Sequence, residues 1–200
     1  MARRIGIFGG TFNPPHNAHM MLAEAAVENL ALDHVLLVPA KAPPHKPVPD
    51  DPGAAMRFEL TELAAAGDER LVVSDIELRR DGPSYTVDTL RALHESEPEA
   101  ELLLIIGGDM AIDFPRWHEP AEIARLATLA VVERGSFDRS AIAGALMRFA
   151  DARVKLFTMP RCDISSTEVR ARIARGLPIR HWVPRPVADE IDQLGIYGGP

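Results

Sequence analysis

Ile5-Gly6-Ile7-Phe8 is followed by Gly9-Gly10-Thr11-Phe12-Asn13-Pro14-Pro15-His16-Asn17-Ala18-His19, and an alanine-rich stretch of helical period begins near His19. That succession reads as a strand, a glycine turn and a helix N-terminus. Gly9 and Gly10 carry no Cβ, so the backbone there can take positive φ and come close to a ligand. The helix start adds amide N–H groups without intrahelical partners and the positive end of the helix dipole, which together make a phosphate site. The loop fits neither G-x-G-x-x-G nor G-x-x-x-x-G-K-[ST], so the dinucleotide and Walker fingerprints do not apply. In place of a lysine it supplies two imidazoles, His16 and His19, whose spacing lets both donate to one anion. A bare H-x-x-H is as easily a pair of surface histidines; the whole eleven-residue string in this position weighs against that reading.

Working outward, apolar runs of strand type alternate with helical patterns. Strands are expected over Arg3 to Phe8, Val35 to Pro39, Leu71 to Ser74, Leu102 to Ile106, Ala130 to Glu133 and Val154 to Thr158. Helices are expected near His19 to Leu30, Ala54 to Ala66, Tyr85 to His94, Ala121 to Leu126, Ser140 to Phe149, Ser166 to Arg175 and Pro186 to Leu194. Strands separated by helices imply right-handed βαβ units. The expected fold is therefore α/β, a Rossmann-like doubly wound parallel sheet forming a single domain over residues 1–200. Ligands of such sheets bind beyond the carboxyl ends of the strands, where the strand order reverses.

Composition narrows the function classes. A net charge of −7 argues against a nucleic-acid partner, which needs a basic face. No apolar run approaches a membrane span and none at the N-terminus suits a signal peptide, so a cytosolic protein is expected. The one cysteine, Cys162, excludes an internal disulfide and a zinc cluster of its own, and no role is assigned to it. Of three lysines, Lys41 and Lys46 flank His45 inside Pro39 to Pro52, a stretch with six prolines that disfavours helix and sheet. This loop can be a plain connector or can close over a substrate.

Further segments carry chemistry. Ile164-Ser165-Ser166-Thr167-Glu168-Val169-Arg170 opens a helix; Ser165 with Glu168 is a capping box, which leaves Ser166 and Thr167 in a first turn able to meet a second anionic group. Gly107, Gly108 and Asp109 close the strand Leu102 to Ile106, where glycines admit a nucleotide and Asp109 can accept ribose hydroxyls. Pro83-Ser84-Tyr85-Thr86 opens another helix with Ser84 as the expected N-cap, leaving the N–H groups of Tyr85 and Thr86 to a carboxylate. Phe114-Pro115-Arg116-Trp117-His118 offers an indole face for a flat ring. Taken singly these are caps, turns and core aromatics; taken jointly the last two describe a pocket for an aromatic acid.

The glycine-loop string resembles the nucleotidyltransferase superfamily, with Asn13 where aspartate is frequent and Ala18 where glycine is usual. The ordered set G-G-T-F-N-P-P-H-N-A-H, P-P-H-K, P-S-Y-T-V-D-T-L, G-G-D, F-P-R-W and I-S-S-T-E-V-R spans nearly the whole chain and closely resembles the bacterial nicotinate mononucleotide adenylyltransferases. The resemblance implies transfer of the adenylyl group of ATP to nicotinate mononucleotide, giving nicotinate adenine dinucleotide and pyrophosphate in NAD synthesis, with Mg²⁺ expected alongside ATP. It implies catalytic roles for His16, His19, Lys46 and Arg170, and ATP contacts from Gly9, Gly10, Thr11, Phe12, His16, His19, Gly107, Asp109, Ile164, Ser165, Ser166, Thr167 and Arg170. Mononucleotide contacts are implied for Lys41, His45, Lys46, Ser84, Tyr85, Thr86, Trp117, His118 and Arg134. Partners are small-molecule substrates, without nucleic acid or membrane; oligomeric state is left open. Phosphopantetheine adenylyltransferase shares the first and last motifs but lacks the P-S-Y-T and F-P-x-W segments. A non-catalytic nucleotide sensor is the reading from another class, and the intact histidines and I-S-S-T argue against it.

Overall fold

Leu102 to Ile106 is apolar at every position because its strand is covered on both faces. In the computed structural model, which describes residues 2–43, 48–133 and 139–198, this run is the fourth strand of a six-stranded parallel sheet. The strands are β1 (Arg4–Gly10), β2 (His34–Pro39), β3 (Leu71–Val73), β4 (Glu101–Gly107), β5 (Thr128–Glu133) and β6 (Val154–Thr158), in the spatial order β3-β2-β1-β4-β5-β6. The helices are α1 (Asn17–Leu30), α2 (Ala54–Ala65), α3 (Thr86–Ser96), α4 (Gly108–Asp113), α5 (Pro120–Leu126), α6 (Arg139–Leu146), α7 (Ser166–Ala174) and α8 (Arg185–Leu194). The expected α/β Rossmann-like fold is the observed one.

Alternation along the buried strands sorts side chains between two layers. Ile5, Ile7, Leu102, Leu104, Ile106, Leu129 and Val131 point to one face, packed with Val87 and Leu90 of α3, Ile123 of α5 and Ile142 of α6. Val35, Leu37, Leu103, Ile105, Ala130 and Val132 point to the other, against Ala23, Ala26, Val27 and Leu30 of α1. Each such Leu or Ile contributes about 1.5 to 3 kcal/mol by burial. A third cluster joins Leu60 of α2 to Val169 of α7 and to Val187 and Ile191 of α8. It brings the C-terminal helices beside the loop that leaves β1.

β1 pairs with β2 on one side and β4 on the other, Ile7 opposite both Leu36 and Leu104. The strand order reverses between β1 and β4, so the crevice beyond their carboxyl ends is the topological switch point. Two of the glycine segments end those two strands. The sequence pattern had no place for α4 or for the 3-10 turn Phe114–Arg116 that follows it. Elements of six and three residues are too short to display a helical period. No helix among the described residues is long and apolar enough to cross a membrane.

Candidate active site

The glycine loop differs from expectation in its backbone. β1 runs on through Gly9 and Gly10, which pair with Val38 and Pro39 as strand residues, and the positive φ, 50°, falls on Phe12 instead. The glycines serve by lacking bulk: a Cβ on Gly9 would have nothing within 4 Å, and one on Gly10 would lie 3.1 Å from the Phe12 ring. Phe12 is held in its left-handed turn by packing against Phe8 and, edge-on at 4.9 Å, against His19. The Asn13–Pro14 peptide that follows is cis.

His16 is the N-cap of α1 and His19 its third residue, so the helix begins two residues earlier than the pattern suggests. The rings stack at 3.6 Å with 21° between planes, and the backbone N–H of His16 donates to His19 Nδ1 at 3.2 Å. A neutral His19 that accepts at Nδ1 carries its proton on Nε2, which fixes the donor end of the ring. The two imidazoles thus form one unit at a helix N-terminus, as their spacing implies. That terminus is also tied from outside: Asn17 donates to the carbonyls of Trp182 and His181.

The motif at the far end of the sequence meets this loop directly. Ser165 caps α7 and its Oγ accepts from the Glu168 N–H at 3.2 Å, while Ser166 Oγ donates to the Pro14 carbonyl at 2.9 Å. Arg170 donates to the Asn13 carbonyl at 2.7 Å and pairs with Asp50 at 3.4 Å. Thr167 is exposed on the first turn of α7 and Ile164 is half-buried just before it. Arg170 is therefore already engaged by loop carbonyl and carboxylate, at the rim of the region where a terminal phosphate was expected.

Arg57 is a residue that the sequence reading missed. It lies wholly buried on α2, donates to the carbonyls of Thr11 at 2.8 Å and Ala40 at 2.7 Å, and pairs with Asp51 at 2.9 Å. The loop after β1 and both described sides of the proline-rich loop are thereby held by one guanidinium. The Tyr197 hydroxyl adds a second tie by donating to Asn13 Oδ1, while Asn13 Nδ2 donates to the Pro49 carbonyl. Burial pushes the Tyr197 hydroxyl above its ordinary range, against the opposing pull of Arg57 and Arg170, so it stays a donor.

Beyond β1 and β4 opens a cavity of about 210 Å³, walled by Gly9, Gly10 and Thr11 on one side and by Ser84, Tyr85, Thr86, Trp117 and His118 on the other. Phe114 braces Trp117 at 5.5 Å, and the Tyr85 and His118 rings stack at 4.1 Å. The expected cap is corrected here. Tyr85, not Ser84, is the N-cap of α3; Ser84 Oγ accepts from the Ala42 N–H, its own N–H goes to the Ala42 carbonyl, and the Tyr85 N–H goes to the Pro83 carbonyl. Two chain crossings at Ala42 outcompete a serine cap. The first-turn amides left over are those of Thr86 and Val87, the first two helical residues.

Gly107 ends β4 and Gly108 begins α4, with the exposed Asp109 carboxylate in its first turn; a Cβ on Gly107 would lie 2.7 Å from Asp109 Oδ1. Lys41 stands outside the cavity wall, its Nζ donating to the Arg80 carbonyl at 2.8 Å and pairing with Asp81. His45, Lys46 and Arg134 lie outside the described residues.

The model of the cytidylyltransferase-like family matches residues 7–172. Over 199 residues the chain is 40% identical to a probable nicotinate-nucleotide adenylyltransferase of Synechococcus sp. (strain JA-3-3Ab), covering 99% of this chain and 96% of that protein. It is 44% identical over 194 residues to a probable nicotinate-nucleotide adenylyltransferase of Thermus thermophilus, covering 97% of this chain and 99% of that protein. Among solved structures, the Plasmodium falciparum nicotinic acid mononucleotide adenylyltransferase complexed with NaAD superposes with a TM-score of 0.80, covering 98% of this chain and 97% of that one. At 20% identity, this likeness speaks for the fold alone.

Proposed function

Because the chain belongs to the cytidylyltransferase-like family, among its nicotinate-nucleotide adenylyltransferases, we infer that it transfers the adenylyl group of ATP to nicotinate mononucleotide. The products are nicotinate adenine dinucleotide and pyrophosphate. The observation that carries this reading is a cavity with the glycine loop as one wall and Tyr85, Thr86 and Trp117 as the other. It supports a reading in which the glycine loop binds phosphate beside a surface suited to a flat acidic ring.

The chemistry asks little of acid–base groups. The attacking phosphate monoester has a second pKa of about 6 and is largely dianionic at neutral pH. What the protein must do is bring two anions into line at the α-phosphate and neutralise charge as pyrophosphate leaves. His16 and His19, stacked at the α1 N-terminus, are the proposed donors to the triphosphate, with the amides of that terminus behind them. Arg170 and the start of α7 would take the outer phosphates, Arg170 exchanging Asp50 for a phosphoryl oxygen. Lys46 is proposed as a further cation, and Asp109 as the acceptor for ribose hydroxyls. Trp117 would stack on the pyridine ring while the Thr86 and Val87 amides receive its carboxylate.

Among the described residues no three metal-ligating side chains converge. Mg²⁺ would accordingly arrive coordinated by the triphosphate and retain waters. Its chemistry is to neutralise phosphate charge; no protein cage for it is proposed. Mixing the protein with ATP and nicotinate mononucleotide should release pyrophosphate and form the dinucleotide in equal amounts. Release without the mononucleotide, or none with it, would reject the reading.

A further inference from the structure

Among the described residues, two buried polar atoms without a partner inside the protein belong to residues that line the cavity: Glu77 Oε2 and the Trp117 indole Nε1. Glu77 is 7% exposed, and its other oxygen accepts from Thr89 Oγ1 at 2.7 Å, which fixes the carboxylate against the second turn of α3. Arg80 would be the natural counter-ion. Its Nη groups instead reach Thr89 Oγ1 at 3.5 Å and the Tyr85 carbonyl at 3.4 Å. A buried carboxylate oxygen without a donor is costly, and the place of Glu77 among the residues lining the cavity points to a ligand that compensates its charge.

We propose that Glu77 determines affinity for the mononucleotide by setting the negative charge of its buried carboxylate in the wall beside the positively charged pyridinium ring. This rests on the proposed function. The mononucleotide offers four kinds of group: a phosphate and a carboxylate, which a carboxylate repels; ribose hydroxyls; and a ring nitrogen made cationic by its bond to ribose. The ring is selected over the hydroxyls by what else lines this part of the wall, namely the Trp117 indole and the stacked Tyr85 and His118 rings. In a mostly apolar cavity the attraction between an anion and a ring cation is screened far less than in water.

The test uses Glu77→Gln, whose amide oxygen still accepts from Thr89. Dissociation constants are measured separately for nicotinate mononucleotide, its amide analogue and ATP, with KM values alongside. Both mononucleotides should weaken by roughly tenfold or more, with the ratio between them unchanged and ATP unaltered within about twofold. Unchanged mononucleotide affinity would reduce Glu77 to a support for Thr89. Parallel weakening of ATP would make its role general packing, and a changed acid-to-amide ratio would place the oxygen at the ring substituent; each overturns the proposal. Should the variant not fold, the wild-type protein decides: it should bind the cationic ring at least about tenfold more tightly than the same mononucleotide with its ring reduced to the neutral dihydropyridine. Equal affinity would overturn the proposal. Wild-type protein that neither binds nor adenylylates nicotinate mononucleotide would instead overturn the proposed function.

Discussion

The Arg57 guanidinium and the Thr11 carbonyl, 46 positions apart in the chain, meet at 2.8 Å with the arginine wholly buried. The same side chain reaches the Ala40 carbonyl and the Asp51 carboxylate. The glycine loop after β1 and the loop after β2 are therefore one mechanical unit. A shift in either loop must break a charge-assisted hydrogen bond in a place where water cannot replace it.

Arg57→Met should cost roughly 3 kcal/mol of stability, because it leaves the part-buried Thr11 and Ala40 carbonyls without this donor and removes the cation paired with Asp51. Turnover should fall as well, since Thr11 lines the cavity. Arg57→Lys keeps a charge for Asp51 but has no fork, and should fall between. Urea unfolding measures the first effect; a loss below about 1 kcal/mol would show that the buckle carries no net stability.

His19→Ala should lower kcat/KM by roughly 100-fold or more, the scale seen when one preorganised donor to developing charge is removed. The stack at 3.6 Å also means that His16 loses its neighbour, so the two single variants should not be additive with the double one. Steady-state kinetics on the folded variant is the check. Activity within a few-fold of wild type would remove His19 from the catalytic set.

Trp117→Ala should raise KM for the mononucleotide far more than for ATP, as stacking on an aromatic side chain is worth about 1 to 3 kcal/mol per base. The indole also leans on Phe114 in the core, so thermal stability should be recorded beside the kinetics. Equal rises for both substrates would mean that Trp117 serves only packing.

Nicotinate mononucleotide should be preferred over its amide by roughly tenfold or more, because a hydrogen bond to a charged acceptor contributes about 1.5 to 3 kcal/mol against 0.5 to 1.5 for a neutral pair. The proposed donors are the Thr86 and Val87 backbone amides at the N-terminus of α3. Thr86→Val should hence keep most of that preference. Competition between the two mononucleotides measures it, and equal use would show that no carboxylate site exists there.

His34, buried at the start of β2, has its pKa held below 6.5, first by burial and then by the nearby Arg3 charge. In the unfolded chain it takes up a proton at a higher pH than in the folded protein. Stability due to neutral His34 is therefore present above about pH 6.5 and lost as pH falls from there toward the folded-state pKa. His34→Gln should lose less stability than wild type between about pH 7.5 and about pH 5.5. Identical slopes for the two proteins would exclude His34 as a source of acid sensitivity.

Much of this was legible because local rules sufficed. Period and spacing announce the strand, glycines and paired histidines of residues 5–19, and S-x-x-E announces the start of α7, where Ser165 Oγ accepts from the Glu168 N–H, one of the two bonds of a capping box. Arg57 was not legible, since an arginine in an amphipathic helix ordinarily sits in solvent. The available signal was its spacing of three and four from Leu60 and Thr61, both wholly buried, which places it on the inward face of α2. Ser84 failed as a cap because its partner, Ala42, lies 42 positions away, and no local pattern encodes that distance. Glu77 is one of several charges in a polar stretch that carries no motif; only its bond to Thr89 and its place on the cavity wall reveal it.

The Pro14 carbonyl finds its donor in Ser166, 152 positions later. During synthesis at about 5 to 20 residues per second, the glycine loop would wait some 8 to 30 s before that donor is even made. For that interval the nascent chain holds β1, its glycines and both histidines, yet not the groups that brace them from the other side. Competence for triphosphate would thus be acquired late and all at once, when α7 docks, and ribosome-bound intermediates that end before Ser166 should be unable to hold the nucleotide.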